Sequence, residues 1–203
     1  VSLVGERKAG KTSLLWHLPT SLPSDAFIPV YLDVQTTAPP TDKIFLGKLV
    51  RQATDAICNV NGQASIPTTT LQASTLEEVY AAFHHDLEVL RGHLPYNASG
   101  QPVRLVWLID EIEMLRGFQD THLFSFLRPL AQSDVNFRMV VAGYDVLYHL
   151  ATRSEWLPFF NAFSQVRLTG FNPAVARQLI DDAVTAMDVS IADEVYAPAL
   201  RWT

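Results

Sequence analysis

Two short stretches carry residue types whose spacing could do chemistry. The first is Gly5-Glu6-Arg7-Lys8-Ala9-Gly10-Lys11-Thr12-Ser13, directly behind the apolar run Val1-Ser2-Leu3-Val4. Its pattern is G-x-x-x-x-G-K-[ST]. Gly5 and Gly10 let the backbone curl so that successive N–H groups point inward at phosphate oxygens. Lys11 then reaches the β- and γ-phosphates, and the Thr12 hydroxyl ligates Mg²⁺. A helix opening at that point aims the positive end of its dipole at the same anion. The second stretch is Val103-Arg104-Leu105-Val106-Trp107-Leu108-Ile109-Asp110-Glu111, an apolar run closing on two acids. Such a pair is costly to bury unless it meets cations or water. A nucleotide site supplies both. Asp110 would hold the Mg²⁺ shell, usually through water, and Glu111 would polarise the attacking water. The expected site therefore uses Gly5 to Ser13 for the nucleotide, Thr12 and Asp110 for Mg²⁺, and Lys11 with Glu111 for catalysis.

Strands and helices must bring these stretches together. Phe27-Ile28-Pro29-Val30-Tyr31-Leu32-Asp33-Val34 is rich in β-branched and aromatic residues and reads as a second, buried strand. Asp33 falls near its carboxyl end, where either a catalytic role or a carboxylate satisfied by a neighbouring loop would fit. Residues 136–144 and 164–168 read as two further strands. Between them run helical patterns. One is capped at Thr41-Asp42 and carries Phe45, Leu46, Leu49, Val50, Ala53 and Ile57 inward. Another starts at the capping box Ser74-Thr75-Leu76-Glu77. Others are expected after Thr121, over 146–151, at Asn172-Pro173 and after Ser190. Residues 58–73 and 92–101 read as loops. His84-His85-Asp86 brings together three residue types that bind metals, but neighbouring helix residues point about 100° apart, so a solvated helix face is the expectation. Five strands alternating with helices call for a three-layer α/β/α sandwich with a parallel sheet, its phosphate loop and acids meeting at the carboxyl edge. Residues 1–170 are expected to form this core and 171–203 the start of a helical lid.

Composition bounds the rest. The 203 residues are 48% hydrophobic with four Trp, enough for a real core. A net charge of −6 argues against a nucleic-acid-binding surface within this stretch and leaves such contacts to other parts of a full-length protein. The single cysteine, Cys58, fits a reducing, cytoplasmic setting, and no apolar run has the length of a membrane span. The chain starts inside a strand and stops at Arg201-Trp202-Thr203 without an ending signal, which reads as a fragment of a longer protein.

With these pieces placed, the chain resembles the ATPase core of an AAA+-related P-loop protein, closest to the STAND class of signal-transducing NTPases. Four features carry the resemblance. They are the loop Gly5 to Leu15 (Walker A), the strand end Asp110-Glu111-Ile112-Glu113 (Walker B), the strand end Val141-Ala142-Gly143, and the run Phe163 to Phe171 before a lid helix. The resemblance implies strand order 5-1-4-3-2, ATP with Mg²⁺, and a nucleotide-driven movement of the lid. It also raises self-association through the core, and effector or sensor domains outside these residues. Two positions depart from the pattern. Ala142-Gly143-Tyr144-Asp145 stands where a polar γ-phosphate sensor often ends the fourth strand, leaving only Tyr144 or Asp145 for that task. Arg128 and Arg153 are candidates for an arginine finger by location alone. A slow, switch-like ATPase is the first functional expectation. The alternatives are a DNA-associated AAA+ ATPase of replication, repair or transposition, and a nucleotide-binding scaffold that does not hydrolyse.

Overall fold

The central strands of a parallel sheet are covered on both faces, so they must be apolar on both. Arg104–Asp110 meets that demand: every residue after Arg104 is buried. The computed structural model describes residues 1–36, 41–117, 122–144, 161–189 and 196. Within these, β1 (Ser2–Gly5), β2 (Phe27–Asp33), β3 (Arg104–Asp110), β4 (Phe137–Tyr144) and β5 (Gln165–Leu168) form one parallel sheet in the order β2-β3-β4-β1-β5. That is the expected order 5-1-4-3-2 read from the other edge. Its register sets up the site. Gly5 pairs with Tyr144, Ile109 with Val141 and Asp33 with Asp110, so four strand ends reach one edge.

The helices are α1 (Lys11–Ser21), α2 (Asp42–Asn61), α3 (Leu76–Gly92), α4 (His122–Ser133) and α5 (Pro173–Ala186), with a 3-10 turn over Ile112–Gly117. Helix α1 covers one face of the sheet, packing Leu15 and Leu18 on Leu3, Val106, Leu108 and Ala142. Helices α2, α3 and α4 build the larger core on the other face. There Trp107 is fully buried, lies stacked 5.4 Å from the Phe137 ring, and donates its indole N–H to the Leu49 carbonyl at 3.2 Å. The chain divides into two compact units, Val1–Arg167 and Leu168–Thr203. In the second, Asn172 caps α5 through its side chain to the Val175 N–H, with Pro173 in the first turn, as the sequence predicts. Arg177 lies over the Tyr196 ring at 4.5 Å, and the Tyr196 hydroxyl bonds Asp181.

Three local expectations change. Helix α2 runs on to Asn61 because Cys58 is still buried, and Gly62 in the left-handed region (φ 65°) ends it by donating to the Cys58 carbonyl. The capping box sits one residue later, with Thr75 as cap and Glu78 as its partner; Glu78 also accepts from the Ser74 N–H. Asp86 is not on a solvated face. It is fully buried and accepts hydrogen bonds from the N–H and hydroxyl of both Thr69 and Thr70, tying the loop before α3 onto that helix. His84 and His85 are exposed, as expected. The helix expected after Thr121 is α4, with Leu123, Phe124 and Leu127 buried. Thr121 itself, the helix expected over 146–151, all but Tyr196 of the one after Ser190, most of the aromatic segment 153–163, and Arg153 lie outside the described residues.

Asp86 gives a test of this packing. Asp86→Asn puts an amide N–H₂ against donors already committed to the carboxylate. It should cost about 3 kcal/mol in chemical denaturation. A loss under about 0.5 kcal/mol would show that the loop is held by other contacts.

Candidate functional site

The loop after β1 is shaped by two residues in the left-handed region, Lys8 (φ 67°) and Gly10 (φ 86°). Gly10 is the N-cap of α1 and offers no side chain to the first turn, so the N–H groups at the start of the helix face outward for an incoming anion. A Cβ at Gly10 would meet nothing; it is the backbone conformation that asks for glycine. Lys11 is only 7% exposed. Its ammonium donates to the Gly5 carbonyl at 3.0 Å and the Glu6 carbonyl at 2.8 Å, so the cation lies inside the loop and holds its curl.

The acids stand opposite. Asp110 closes β3 at 2% exposure. A buried carboxylate must be hydrogen-bonded, and each of its oxygens has a donor. Oδ1 accepts from the Glu111 N–H at 3.0 Å, and Oδ2 from the Tyr31 hydroxyl at 3.1 Å. Glu111 lies just beyond the strand with φ 53°, an uncommon conformation for a residue with a Cβ. Its carboxyl is pushed above the ordinary glutamate value, first by burial, then by the negative charge of Glu113 and a hydrogen-bond contact with it, then by Asp110, with Lys11 acting the other way. Glu113, on the 3-10 turn, accepts from the Tyr144 N–H at 3.2 Å and so ties the acid strand's exit to the end of β4. The Tyr31 phenol is pushed up to about 12, by burial first and then by the charge of Asp110 and the bond to it, and therefore stays a donor.

One cleft of about 340 Å³ is lined by Arg7, Lys8, Gly10, Lys11, Thr12, Ser13, Gln35, Glu111, Glu113 and Tyr144. The cleft thus joins the loop to Glu111 and Glu113, while Asp110 and its partner Tyr31 are not among its lining residues. Asp33 stays outside it: its carboxylate accepts from the Gln35 N–H at 2.8 Å within its own turn. Gln35 and Tyr31 were not expected at the site. Tyr31 could have been suspected from its place two residues before Asp33 on a strand bordering Asp110. Gln35 follows that strand in a turn and has no sequence signal. Arg128 is exposed on α4 and is not among the residues lining the cleft. No group of three or more acidic, His or Cys side chains suited to a metal occurs among the described residues. The donors instead suit Mg²⁺ held with nucleotide: a hydroxyl, a carboxylate with lone pairs to spare for water, and an adjoining anion cradle.

A family model described as the AAA domain matches residues 1–150, the stretch holding both the loop and the acids. The chain belongs to the AAA domain family. Membership implies ATP and Mg²⁺ binding in general terms. The AAA fold here is similar to that of a Walker-type ATPase of Pyrococcus abyssi, at 15% identity and TM-score 0.66, over 99% of this chain and 57% of that one. It is similar also to the ORC1 protein of Aeropyrum pernix in complex with DNA (14%, TM-score 0.53, over 92% and 43%). A third likeness is to AMPPCP-bound DnaA of Aquifex aeolicus (14%, TM-score 0.52, over 100% and 50%). The chain thus spans about half the length of these structures. No curated protein sequence matches it. The family match is to the AAA domain and does not single out the STAND class. Among the described residues, no helix of this AAA chain is long and apolar enough to cross a membrane.

The raised Glu111 carboxyl has a consequence for stability. A carboxyl that binds its proton more tightly when folded supports the fold below its ordinary value of 4.5 and loses that support as pH rises through the folded value. Glu111→Gln should therefore raise the melting temperature at neutral pH, with the gain vanishing below pH 4.5. A gain of equal size at every pH would show that charge crowding is not its source.

Proposed function

We propose that this AAA chain is the Mg²⁺-dependent ATP-binding and ATP-hydrolysing core of a DNA-associated ATPase. The observation that carries the enzymatic part is the shared cleft, with Lys11, Thr12 and the α1 N-terminus on one side and Glu111 on the other. In this reading the N–H groups of the Gly5 to Ser13 loop cradle the phosphates. Lys11 exchanges the Gly5 and Glu6 carbonyls for β- and γ-phosphate oxygens. Thr12 ligates Mg²⁺ directly and Asp110 holds it through water. The chemistry that a bound Mg²⁺ would supply is neutralisation of negative charge on the phosphates. Glu111 orients and polarises the attacking water.

The choice of ATP rests on the family and on the AMPPCP-bound relative in fold. The DNA-associated part rests on likeness of fold to an ORC1 protein solved with DNA. It is an analogy of architecture, and the net charge of −6 directs the DNA contacts to segments outside these 203 residues. A STAND-type signalling switch would use the same cleft, but no observation favours it. Tyr144 is the described residue from the end of β4 that lines the cleft, and without a carboxamide or small hydroxyl there turnover should be slow.

Two variants and one binding assay test this. Lys11→Ala should weaken ATP binding at least tenfold, and an unchanged affinity would place the nucleotide elsewhere. Glu111→Gln should bind ATP with near wild-type affinity and hydrolyse it at least a hundredfold more slowly; unchanged turnover would assign the base to another group. A chain that includes the flanking segments should bind duplex DNA with a steep salt dependence, where the 203 residues alone do not. Salt-insensitive or absent binding would leave the ATPase without its proposed partner.

A further inference from the structure

Tyr31 is not part of the loop or of the acid pair, yet it touches both Asp110 and the helix that leaves the loop. Its hydroxyl donates to Asp110 Oδ2 at 3.1 Å, while the Glu111 N–H holds Oδ1 at 3.0 Å. A carboxylate with a fixed donor on each oxygen cannot swing about its last side-chain bond without breaking one of them. Each oxygen still keeps a lone pair for water. On its other side the Tyr31 ring meets Trp16, with centroids 4.9 Å apart and planes at 42°. Trp16 is 63% exposed, so burying itself in the core is not what it does there. It stands on α1 four residues after Thr12, and residues four apart share a helix face. Tyr31 thus links Asp110 to Trp16 on α1, the helix whose first turn carries Thr12, the other group expected to share the Mg²⁺ shell.

We propose that Tyr31, braced by Trp16, is a positioning residue for the metal: it fixes the Asp110 carboxylate relative to the phosphate-loop helix so that the Mg²⁺ water shell fits both. The proposal rests on the Mg²⁺-ATP reading given above. Groups that orient metal-site ligands from behind are worth about ten- to a hundredfold in metal affinity, which sets the scale of the effect. Tyr31→Phe keeps the ring against Trp16 and removes only the donor. Trp16→Ala keeps the donor and removes the brace.

The test is equilibrium binding of a fluorescent ATP analogue to the whole chain, with excess chelator and then across a Mg²⁺ titration. For Tyr31→Phe, affinity in chelator should match wild type within about twofold, and the Mg²⁺ concentration for half of the affinity gain should rise about tenfold. Trp16→Ala should shift it the same way by a smaller factor. An unchanged Mg²⁺ midpoint for Tyr31→Phe would overturn the proposal. So would an equal loss with and without Mg²⁺, the signature of a merely structural residue. Wild-type protein that binds no nucleotide, or binds it indifferently to Mg²⁺, would overturn the parent reading, and this one with it. A raised midpoint in Tyr31→Phe with normal chelator affinity is the result the geometry predicts.

Discussion

A carboxylate at the end of a fully apolar strand is the constraint around which this chain is arranged. Asp110 is all but inaccessible to solvent, and a charge taken out of water destabilises a fold unless donors or cations meet it. The sheet supplies the donors locally. The residue after Asp110 takes a left-handed conformation that turns its N–H onto Oδ1, and the neighbouring edge strand β2 supplies the Tyr31 hydroxyl to Oδ2. Both depend on register. Asp33 pairs with Asp110, which leaves Tyr31 two residues back and within reach. A slip of one residue would turn Tyr31 to the opposite face of the sheet and leave the acid without that donor.

The same edge carries the opposite charge. Lys11 is buried as well, and its ammonium is met by two carbonyls of its own loop. Cation and anion are thus each satisfied separately, Lys11 by carbonyls of its loop and Asp110 by donors from β2 and from the residue that follows it. A polyphosphate with Mg²⁺ is the ligand whose charges answer both at once, and it would replace those separate solutions with shared ones. Burial, and then the crowding of Glu113 beside it, raises the Glu111 carboxyl and gives the site a built-in electrostatic cost.

Much of this was legible in the sequence because it rests on local rules. The loop Gly5 to Thr12 follows from glycine geometry and the helix start, and Asp110 from an apolar run that ends in acids. Strand alternation pointed to a parallel three-layer sandwich, and the order of its sheet came from the resemblance to AAA+ proteins. Tyr31 and Gln35 stayed hidden because their place depends on which strands become neighbours and in what register. Asp86 was misread for a related reason. Nothing near it in sequence shows that Thr69 and Thr70 fold back over α3 to bury it. The STAND assignment rested on weaker features, the β4 end and the run before α5, and neither the family match nor the similar structures bear specifically on them.

The central claim is that one Mg²⁺-nucleotide complex occupies the cleft between the loop and the acids. It is tested most directly by a crystal structure of the chain grown with Mg²⁺ and a non-hydrolysable ATP analogue. The account predicts the triphosphate in the Gly5 to Ser13 loop, Lys11 moved from the Gly5 and Glu6 carbonyls onto phosphate oxygens, and Mg²⁺ on Thr12 with a bound water at Asp110. A nucleotide bound elsewhere, or a Lys11 ammonium still on its two carbonyls beside a bound nucleotide, would contradict it.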